Sequence, residues 1–409
     1  MALFSKRFKL LQRASSTSPS GSSIGHGAAV LRRLFAVCLL ALGGCEAATA
    51  VLETVDELQQ SATPPSVTIS SDAESVSNEV LTAPPIGGTG TTITGPIAGT
   101  GEPISVCSFN IQFLGNSRSR DDAALAEVVA PYDIVVVQEL VSPPYPGTFP
   151  DGKPLKPDSE SAEFFDAMRG LGFEYVISEE DTGSGDNIHR NGSSTEWWVS
   201  FYKPNRVTPA NDLPHGFLAN DRSNHDYFER VPYAFGFRTL EGKLDFVLIS
   251  VHLQPGDGPK YRARRAQELG AITAWIDSHD QAEHDFIILG DMNIENAKEL
   301  AAVTPPGFIS LNDECRPTNT NVNVNSPKPY DHVMVNTTWT SEVDLTYDMQ
   351  VINLLEELRD DWHSSDPYPG SPYNHNAFRA VYSDHHPVVF HLTVPAADDD
   401  ETVRIATAQ

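Results

Sequence analysis

The segment Asp285-Phe-Ile-Ile-Leu-Gly-Asp-Met-Asn293 joins an apolar run to a polar end. A short run of this kind, rich in branched side chains and closed by a glycine, is typical of a buried β-strand. Taken alone, Gly290-Asp291 is most often a simple turn. The same pattern of a strand with Asp, Asn, Glu or His at its end recurs, however, at Phe109-Asn110, Val137-Gln138-Glu139, Val251-His252, Tyr330-Asp331-His332 and Ser383-Asp384-His385-His386.

Working outward from this segment, helical and extended patterns alternate along the chain. Helices are predicted at 121–130, 161–171 and 260–277. Strands are predicted at 104–109, 132–138, 175–177, 197–202, 233–238, 244–252, 285–290, 330–335 and 387–394. Several neighbouring strands lack a helical crossover between them. This indicates an α/β protein with mixed β-sheets covered by helices, and not an all-parallel sheet.

Composition divides the chain into four parts. Residues 1–44 have a basic start, a short apolar run and a small-residue end, which is the layout of a signal peptide. Residues 45–102 are rich in Ser, Thr, Pro and Gly and predict a disordered tether. Residues 103–395 have the composition of one folded domain, and 396–409 form an acidic tail that is predicted to be disordered.

The end of the signal segment, Leu42-Gly-Gly-Cys45, resembles a bacterial lipobox. The resemblance implies cleavage before Cys45, lipidation of its thiol, and an exported protein anchored in a membrane, periplasmic or at the cell surface. A plain secretory signal, with release of the protein, is the alternative. The membrane would then be a partner through the lipid anchor only.

The overall charge and the cysteines narrow the classes of function. The formal net charge is −27, so a nucleic acid would meet a repulsive surface without metal ions or a local basic patch. Acidity of this kind is also common as a solubility trait. The four cysteines form no CxxC pair, which argues against a structural zinc site. Whether Cys107 and Cys315 pair is open, because sequence does not give their distance.

The recurrent strand-end residues predict a metal-assisted site. Strand ends on one rim of a sheet can gather side chains that are distant in sequence. Carboxylate and amide oxygens suit Mg²⁺ or Mn²⁺, with Ca²⁺ as an alternative, and they do not suit zinc. Histidines beside carboxylates suit proton transfer near neutral pH. The residues thus indicate a divalent-metal site with histidines placed for proton transfer.

In combination these motifs resemble the endonuclease/exonuclease/phosphatase superfamily. The resemblance spans 104–394 and is carried by Ser108-Phe-Asn-Ile, Val137-Gln-Glu-Leu, Ser250-Val-His-Leu, Leu289-Gly-Asp-Met-Asn, Tyr330-Asp-His-Val and Ser383-Asp-His-His-Pro-Val. It implies a four-layer α/β sandwich with two central mixed sheets flanked by helices, and attack of water on phosphorus.

Within the superfamily, the deoxyribonuclease I branch is the most similar. Its features are matched by Glu196-Trp-Trp-Val-Ser-Phe-Tyr-Lys-Pro204 and by Phe228-Glu-Arg-Val-Pro232. Two features depart from that branch: Ser194 stands where a tyrosine is usual, and no arginine follows Glu139 closely. These departures weaken the case for double-stranded DNA as the substrate but leave hydrolysis itself intact.

The resemblance implies a role for each matched position. The residues expected to bind or orient the metal ion are Glu139, Asp291 and Asn293, with Asn110 and Asp384 nearby. Proton transfer falls to His252 and His385, which Glu196 and Asp331 respectively orient. Arg230 is expected to contact a phosphate oxygen. His386 is expected to be a filler and not a second catalyst.

The predicted function is that of an exported metal-dependent phosphodiesterase, and a nuclease acting on nucleic acid is favoured. The protein is expected to act as a monomer. The alternative within the same chemistry is a sphingomyelinase-like or phosphoinositide-type phosphodiesterase or phosphatase. A non-catalytic binding domain on the same scaffold is disfavoured, because none of His252, Asp291, Asp331 and His385 has been lost.

Overall fold

The computed structural model describes residues 101–117, 119–183, 195–219, 227–321, 327–345, 348–362 and 374–398. The predicted signal peptide with Cys45, nearly all of the predicted tether and most of the acidic tail lie outside these ranges, as does Ser194. None of the helices within the described ranges combines the length and the apolar character needed to cross a bilayer.

Thirteen strands and six α-helices make up the described part of the chain. The strands are β1 (Ile104–Leu114), β2 (Ile134–Leu140), β3 (Glu174–Ile177), β4 (Trp197–Tyr202), β5 (Val207–Pro209), β6 (Gly216–Phe217), β7 (Tyr233–Thr239), β8 (Asp245–His252), β9 (Phe286–Asp291), β10 (Ile309–Ser310), β11 (Asp331–Val335), β12 (Gln350–Val351) and β13 (Val388–Leu392). The helices are α1 (Asp122–Val129), α2 (Ser159–Gly170), α3 (Pro259–Asp277), α4 (Ala297–Val303), α5 (Leu354–Glu357) and α6 (His375–Val381), and a 3₁₀ turn spans Arg359–Asp361.

The strands form two mixed sheets. The six-stranded sheet has the order β12-β13-β1-β2-β4-β3, and the seven-stranded sheet follows β10-β11-β9-β8-β7-β5, with β6 also paired to β7. Each sheet contains one parallel pair, β1 with β2 and β8 with β9. The neighbours of these pairs run antiparallel, so the ends of the parallel strands and the starts of their neighbours share one rim.

The core has three apolar layers, which explains why the central strands are apolar on both faces. In β2, Ile134 and Val136 pack between the two sheets, whereas Val135 and Val137 pack on the helix side. In β9, Ile287 faces the space between the sheets, and Ile288 faces α3 and α4. Each side chain buried in this way contributes roughly 1.5–3 kcal/mol relative to an exposed one.

The layer order is therefore helices, sheet, sheet, helices. Helices α1, α2, α5 and α6 cover the outer face of the six-stranded sheet. Helices α3 and α4 cover the outer face of the seven-stranded sheet. The expected four-layer α/β sandwich with two central mixed sheets is confirmed.

Gly290 shows why the segment that ends β9 needs a glycine. Its φ is +140°, and a Cβ added there would lie 2.1 Å from the carbonyl oxygen of Val251. Since β8 and β9 are a parallel pair at this point, only a residue without a side chain allows the two strands to approach so closely.

Most of the long elements lie where the sequence predicts them, and the differences concern irregular or short segments. Strand β1 was expected to span 104–109 but runs to Leu114, through a register irregularity between Asn110 and Leu114. Four short strands and helices α4 to α6 were not predicted, because each is too short to show a periodic pattern. Within the described residues Cys107 and Cys315 are free thiols, and burial raises the pKa of Cys107.

Candidate active site

Strand register places the polar strand ends side by side. Asn110 pairs with Gln138 across the parallel β1–β2 pair, so Glu139 follows directly beside it. In the other sheet His252 pairs with Asp291, and Asp291 pairs with Asp331. Glu196 directly precedes β4, and His385 lies three residues before β13, whose first residue pairs with Ser108. All of these residues therefore meet at one rim of the two sheets.

Two carboxylates and an amide form the centre of this rim. The Nδ2 group of Asn110 donates to Oε1 of Glu139 and to Oδ2 of Asp291, at 3.0 Å each. The main-chain N–H of Phe113 donates to the second oxygen of Glu139 at 2.9 Å. These contacts fix both carboxyl groups, which are nearly inaccessible to solvent.

The backbone around this centre is unusual. Glu139 and Asn293 have φ values of +64° and +51°, and Gln112 and Phe113 lie in the same left-handed region. Non-glycine residues adopt this conformation at a cost of about 1–3 kcal/mol each, and they concentrate at functional sites. Four of the five such residues in the described chain flank the Glu139–Asp291 centre.

His252 is held by a buried carboxylate. Its Nδ1 lies 2.6 Å from Oε1 of Glu196, and its Nε2 lies 3.4 Å from Oδ2 of Asp291. The second oxygen of Glu196 accepts the main-chain N–H of Glu139 at 3.0 Å. Glu196 thus connects His252 to Glu139, the acidic residue near the end of β2.

Arg230 completes the charge balance at Glu196. Its Nε lies 2.6 Å from Oε1 of Glu196, and its side chain is nearly buried. Burial raises the pKa of Glu196, but the charges of His252 and Arg230 outweigh it and lower that pKa to about 2. Burial and Arg230 lower the pKa of His252, yet Glu196 and Asp291 together raise it above the usual value.

His385 has the same arrangement on the other side of Asp291. Its Nδ1–H donates to Oδ2 of Asp331 at 2.7 Å, and its Nε2 lies 3.6 Å from Oδ2 of Asp291. Burial lowers the pKa of His385, but Asp331 and Asp291 outweigh it and raise that pKa well above the usual value. The two histidines consequently present the same ring nitrogen to one carboxylate oxygen.

The donor set fits a hard divalent cation. Ligand atoms of Glu139, His252 and Asp291 lie within 4.8 Å of one another, and so do those of Asp291, Asp331 and His385. Burial raises the pKa of Glu139, His252 lowers it, and the negative charges of Glu196 and Asp384 raise it further. A cation between Glu139 and Asp291 would offset this accumulation of negative charge with oxygen ligands that Mg²⁺ and Mn²⁺ favour.

Three of the predicted site residues have other contacts in the structure. Asn293 donates through Nδ2 to the carbonyl oxygen of Leu253 at 3.1 Å. Asp384 turns towards Arg379, at 3.4 Å. Arg230 is engaged by Glu196, and its Nη1 is buried. The structure gathers the predicted residues at one rim, but their individual roles, including a phosphate contact by Arg230, stay predictions.

Sequence reasoning missed two hydroxyl groups that support the site. Ser383 donates to the carbonyl oxygen of Asn110 at 2.8 Å and accepts the N–H of His385 at 3.0 Å. Thr318 accepts the N–H of Asp331 at 2.9 Å. Ser383 belongs to a motif that was already noted, whereas nothing around Thr318 in the sequence marks it.

Two further histidines, His332 and His386, directly follow Asp331 and His385 in the chain and have structural roles. His386 accepts the N–H of Leu354 at 3.1 Å, and burial together with His385 lowers its pKa to about 3. His332 is fully buried against Ser310, and burial lowers its pKa to about 4. Both are consequently neutral at pH 7.

Comparison with known proteins agrees with this geometry. Residues 107–385 match the Endonuclease/Exonuclease/phosphatase family. The match covers well over half of the chain, and the chain belongs to this family, whose members hydrolyse phosphoester bonds.

The individual proteins that resemble this chain share only 17–25% sequence identity with it. Human deoxyribonuclease gamma is 25% identical over 193 residues, which cover 46% of this chain and 55% of the relative. Among solved structures, a D. rerio TDP2 complexed with single strand DNA product has a TM-score of 0.43 at 17% identity and covers 71% of this chain and 99% of its own. The human Nocturnin catalytic domain with bound sulfate has a TM-score of 0.44 at 17% identity, covering 71% and 93%.

Proposed function

We propose that the chain is an exported, metal-dependent phosphodiesterase that hydrolyses nucleic acid. One observation carries the proposal. Two histidines, each backed by a buried carboxylate, direct Nε2 towards the same oxygen of Asp291, next to a second acidic residue. A cluster of two acid–base pairs around an acidic centre suits in-line displacement at phosphorus.

Glu139 and Asp291 are the residues that would hold the cation, and Asn110 keeps them in place. A bound Mg²⁺ or Mn²⁺ neutralises charge on the phosphate in the transition state and lowers the pKa of a bound water. The protein's own contribution is to bring two nearly buried carboxyl groups together, where electrostatic effects are stronger than in water.

The two histidines divide the proton transfers. Because Glu196 and Asp331 each engage Nδ1, Nε2 of both rings is left to exchange protons with the reacting groups. One ring takes the proton of the attacking water, and the other protonates the leaving oxygen. Both carboxylates stabilise the charged form of the ring that they contact, which keeps each histidine competent in both directions.

Nucleic acid is the favoured substrate because human deoxyribonuclease gamma is 25% identical to this chain over 193 residues. The monomeric state expected from the sequence remains part of the proposal. A sphingomyelin or inositol phosphate ester would use the same chemistry and is therefore an outcome of the test.

The test is hydrolysis by the purified chain with Mg²⁺ or Mn²⁺ of plasmid, single-stranded DNA, RNA, bis-p-nitrophenyl phosphate, sphingomyelin and inositol phosphates. We expect degradation of DNA that EDTA abolishes and added Mg²⁺ restores. We expect His252→Ala and His385→Ala each to lower kcat on the order of 10²- to 10⁴-fold. The matched control is His215→Ala, which alters an exposed loop histidine outside the cluster.

Two results would contradict the proposal. Near-normal rates in either histidine variant would remove the acid–base assignment. If Mg²⁺ raised the thermal unfolding midpoint equally in the wild type and in Asp291→Asn, the cation would not bind at this site. Activity on sphingomyelin or inositol phosphates but not on nucleic acid would support the proposed chemistry of the site but show that the substrate is a different phosphate ester.

Export and lipid anchoring of Cys45 form a separate part of the proposal. They are supported by the basic, apolar and small-residue succession before Cys45. Expressed in a bacterium, the full chain should fractionate with membranes and incorporate labelled fatty acid, and Cys45→Ser should do neither. Membrane association that survives Cys45→Ser would mean that the anchor is elsewhere.

A further inference from the structure

Helix α3 carries two buried charged side chains that do not belong to the acidic centre. Arg265 and Glu268 are three residues apart and therefore lie on the same face of the helix. Both are fully buried. The helix follows β8 after the loop 253–258, so its first turns lie next to the chain that leaves His252.

Glu268 joins the segments on either side of the catalytic rim. Its Oε1 accepts the main-chain N–H of Glu229 at 2.7 Å, and its Oε2 accepts that of Gln254 at 2.9 Å. Glu229 directly precedes Arg230, and Gln254 lies two residues after His252. A single carboxyl group thus sets the separation of the two loops that present Arg230 and His252 to Glu196.

Arg265 extends the same connection to a third loop. Its Nη1 donates to the carbonyl oxygens of Gln254 at 2.8 Å and Gly256 at 2.9 Å. Its Nε donates to Oε1 of Glu299 at 2.7 Å, and the other oxygen of Glu299 accepts the N–H of Glu295 at 3.2 Å. Glu295 lies in the segment that leaves the Asp291–Asn293 turn, so α3 also reaches the loop after β9.

The arrangement is costly if its only purpose is stability. Burial raises the pKa of Glu268 to about 7, although two N–H groups counteract this effect. Buried ionic groups are often no more stabilising than apolar residues of the same volume. Their directional bonds do, however, fix main-chain atoms at defined distances, which apolar contacts do not.

We propose that Arg265 and Glu268 are positioning residues of the active site, which hold the loops after β8 and β9 and before Arg230 in their reactive arrangement. The proposal rests on the proposed hydrolytic function of the site. Neither residue touches the reacting groups; each acts through main-chain atoms beside residues that do. Catalytic groups need placement within about 0.5 Å, so the loss of one such bond affects turnover more than binding.

The test compares Glu268→Gln with wild type, using bis-p-nitrophenyl phosphate and Mg²⁺. Glutamine has the same shape but one acceptor oxygen, so its NH₂ group opposes one of the two N–H donors and releases one loop. We expect kcat to fall about 10- to 100-fold with KM changed less than about threefold. Amide hydrogen exchange in 227–232 or 253–258 should become faster, while the Mg²⁺-induced shift of the unfolding midpoint stays as in wild type.

Two control variants on the same helix separate positioning from stability. Asp277→Asn removes a negative charge at an exposed position and should behave as wild type. Ile272→Val removes one methyl group from the packing of α3 but none of the hydrogen bonds to the loops, and it should lower the unfolding midpoint but leave kcat within about twofold. Arg265→Lys should reproduce the kcat loss, because an ammonium group cannot serve two carbonyl groups and Glu299 in the same geometry.

The outcomes are distinguishable. Equal kcat losses in Glu268→Gln and Ile272→Val would overturn the proposal, as would failure of both Glu268→Gln and Arg265→Lys to fold, since the role would then be structural. If wild type hydrolyses none of the substrates, the proposed function fails, while the exchange experiment still decides whether α3 holds the loops. Unchanged exchange in both loops would overturn the positioning role whatever the activity.

Discussion

At the scale of single residues, Asp291 is the point where the site converges. Its Oδ2 accepts from Asn110 and is approached by both histidines, and its Oδ1 accepts the N–H of Asn293. Asn110 and Asp291 are 181 residues apart in the chain. A contact over this distance depends on the pairing of whole strands and not on local sequence.

A prediction at this scale concerns the orientation of His385. Asp331→Asn replaces the acceptor at Nδ1 with an amide and no longer stabilises the charged ring. We expect kcat to fall on the order of 10²- to 10⁴-fold, with little change in KM, because the ring then favours the wrong tautomer. The measurement is steady-state hydrolysis of the best substrate found in the screen.

Asp313→Asn is the matched control, since it removes the same charge at an exposed position. Circular dichroism and the unfolding midpoint establish that both variants are folded. If Asp331→Asn retained more than half of the wild-type kcat, the pairing with His385 would have no catalytic importance.

At the scale of elements, the start of α1 combines a helix terminus with crowded acidic groups. Asp121 caps the helix by accepting the N–H of Ala124 at 3.1 Å. The next residue, Asp122, is buried, and one of its oxygens has no hydrogen-bond partner. Burial and the negative charge of Glu160 raise the pKa of Asp122 to about 7, although Arg120 lowers it.

This raised pKa predicts a pH-dependent stability. The unfolded carboxyl group has a pKa of about 3.9, so between pH 4 and pH 7 the folded state keeps a proton that the unfolded state releases. The contribution of Asp122 to the free energy of unfolding therefore falls as pH rises through this window and levels off above it. Asp122→Asn cannot ionise, and we expect it to be more stable than wild type by roughly 1–2 kcal/mol at pH 8 but not at pH 4.

Loss of the negative charge at the helix N-terminus offsets part of this gain, by about 0.3–1 kcal/mol. Urea unfolding at pH 4 and pH 8 is the measurement, and Glu127→Gln on the exposed side of α1 is the control. A stability difference between Asp122→Asn and wild type that does not grow from pH 4 to pH 8, or that Glu127→Gln reproduces, would contradict the assignment.

At the scale of the whole molecule, the net charge of −27 sets the encounter with a polyanion. Salt screens repulsion between like charges beyond about 10 Å at 0.1 M. We therefore expect kcat/KM for DNA at saturating Mg²⁺ to rise about two- to tenfold between 10 and 150 mM NaCl. The small substrate bis-p-nitrophenyl phosphate should change much less, because it carries a single charge.

Basic nucleic-acid-binding proteins behave in the opposite way, since salt weakens their attraction to phosphates. A steep decline of kcat/KM for DNA over the same range would show that a local basic surface dominates the encounter. A flat response for both substrates would mean that the acidic surface lies too far from the path of the substrate to affect it.

The sequence by itself determined which strands are apolar on both faces and which residue types form the site. The continuous branched runs of β2 and β9 predict strands buried on both faces, and both are. Polar residues at the strand ends indicate a metal-assisted site. These signals are local, since a run of five to eight residues already contains its own periodicity and its end.

Only the tertiary structure decided which of these residues touch one another. In the structure Arg230 pairs with Glu196, and Asn110 donates hydrogen bonds to two carboxyl groups. Glu268 contacts two loops, although no sequence motif connects it to them. The physical reason is that these contacts depend on strand register and on loop ends distant in sequence. Hydrophobic periodicity fixes which face of a strand is buried, but it does not specify which distant partner lies beside its end.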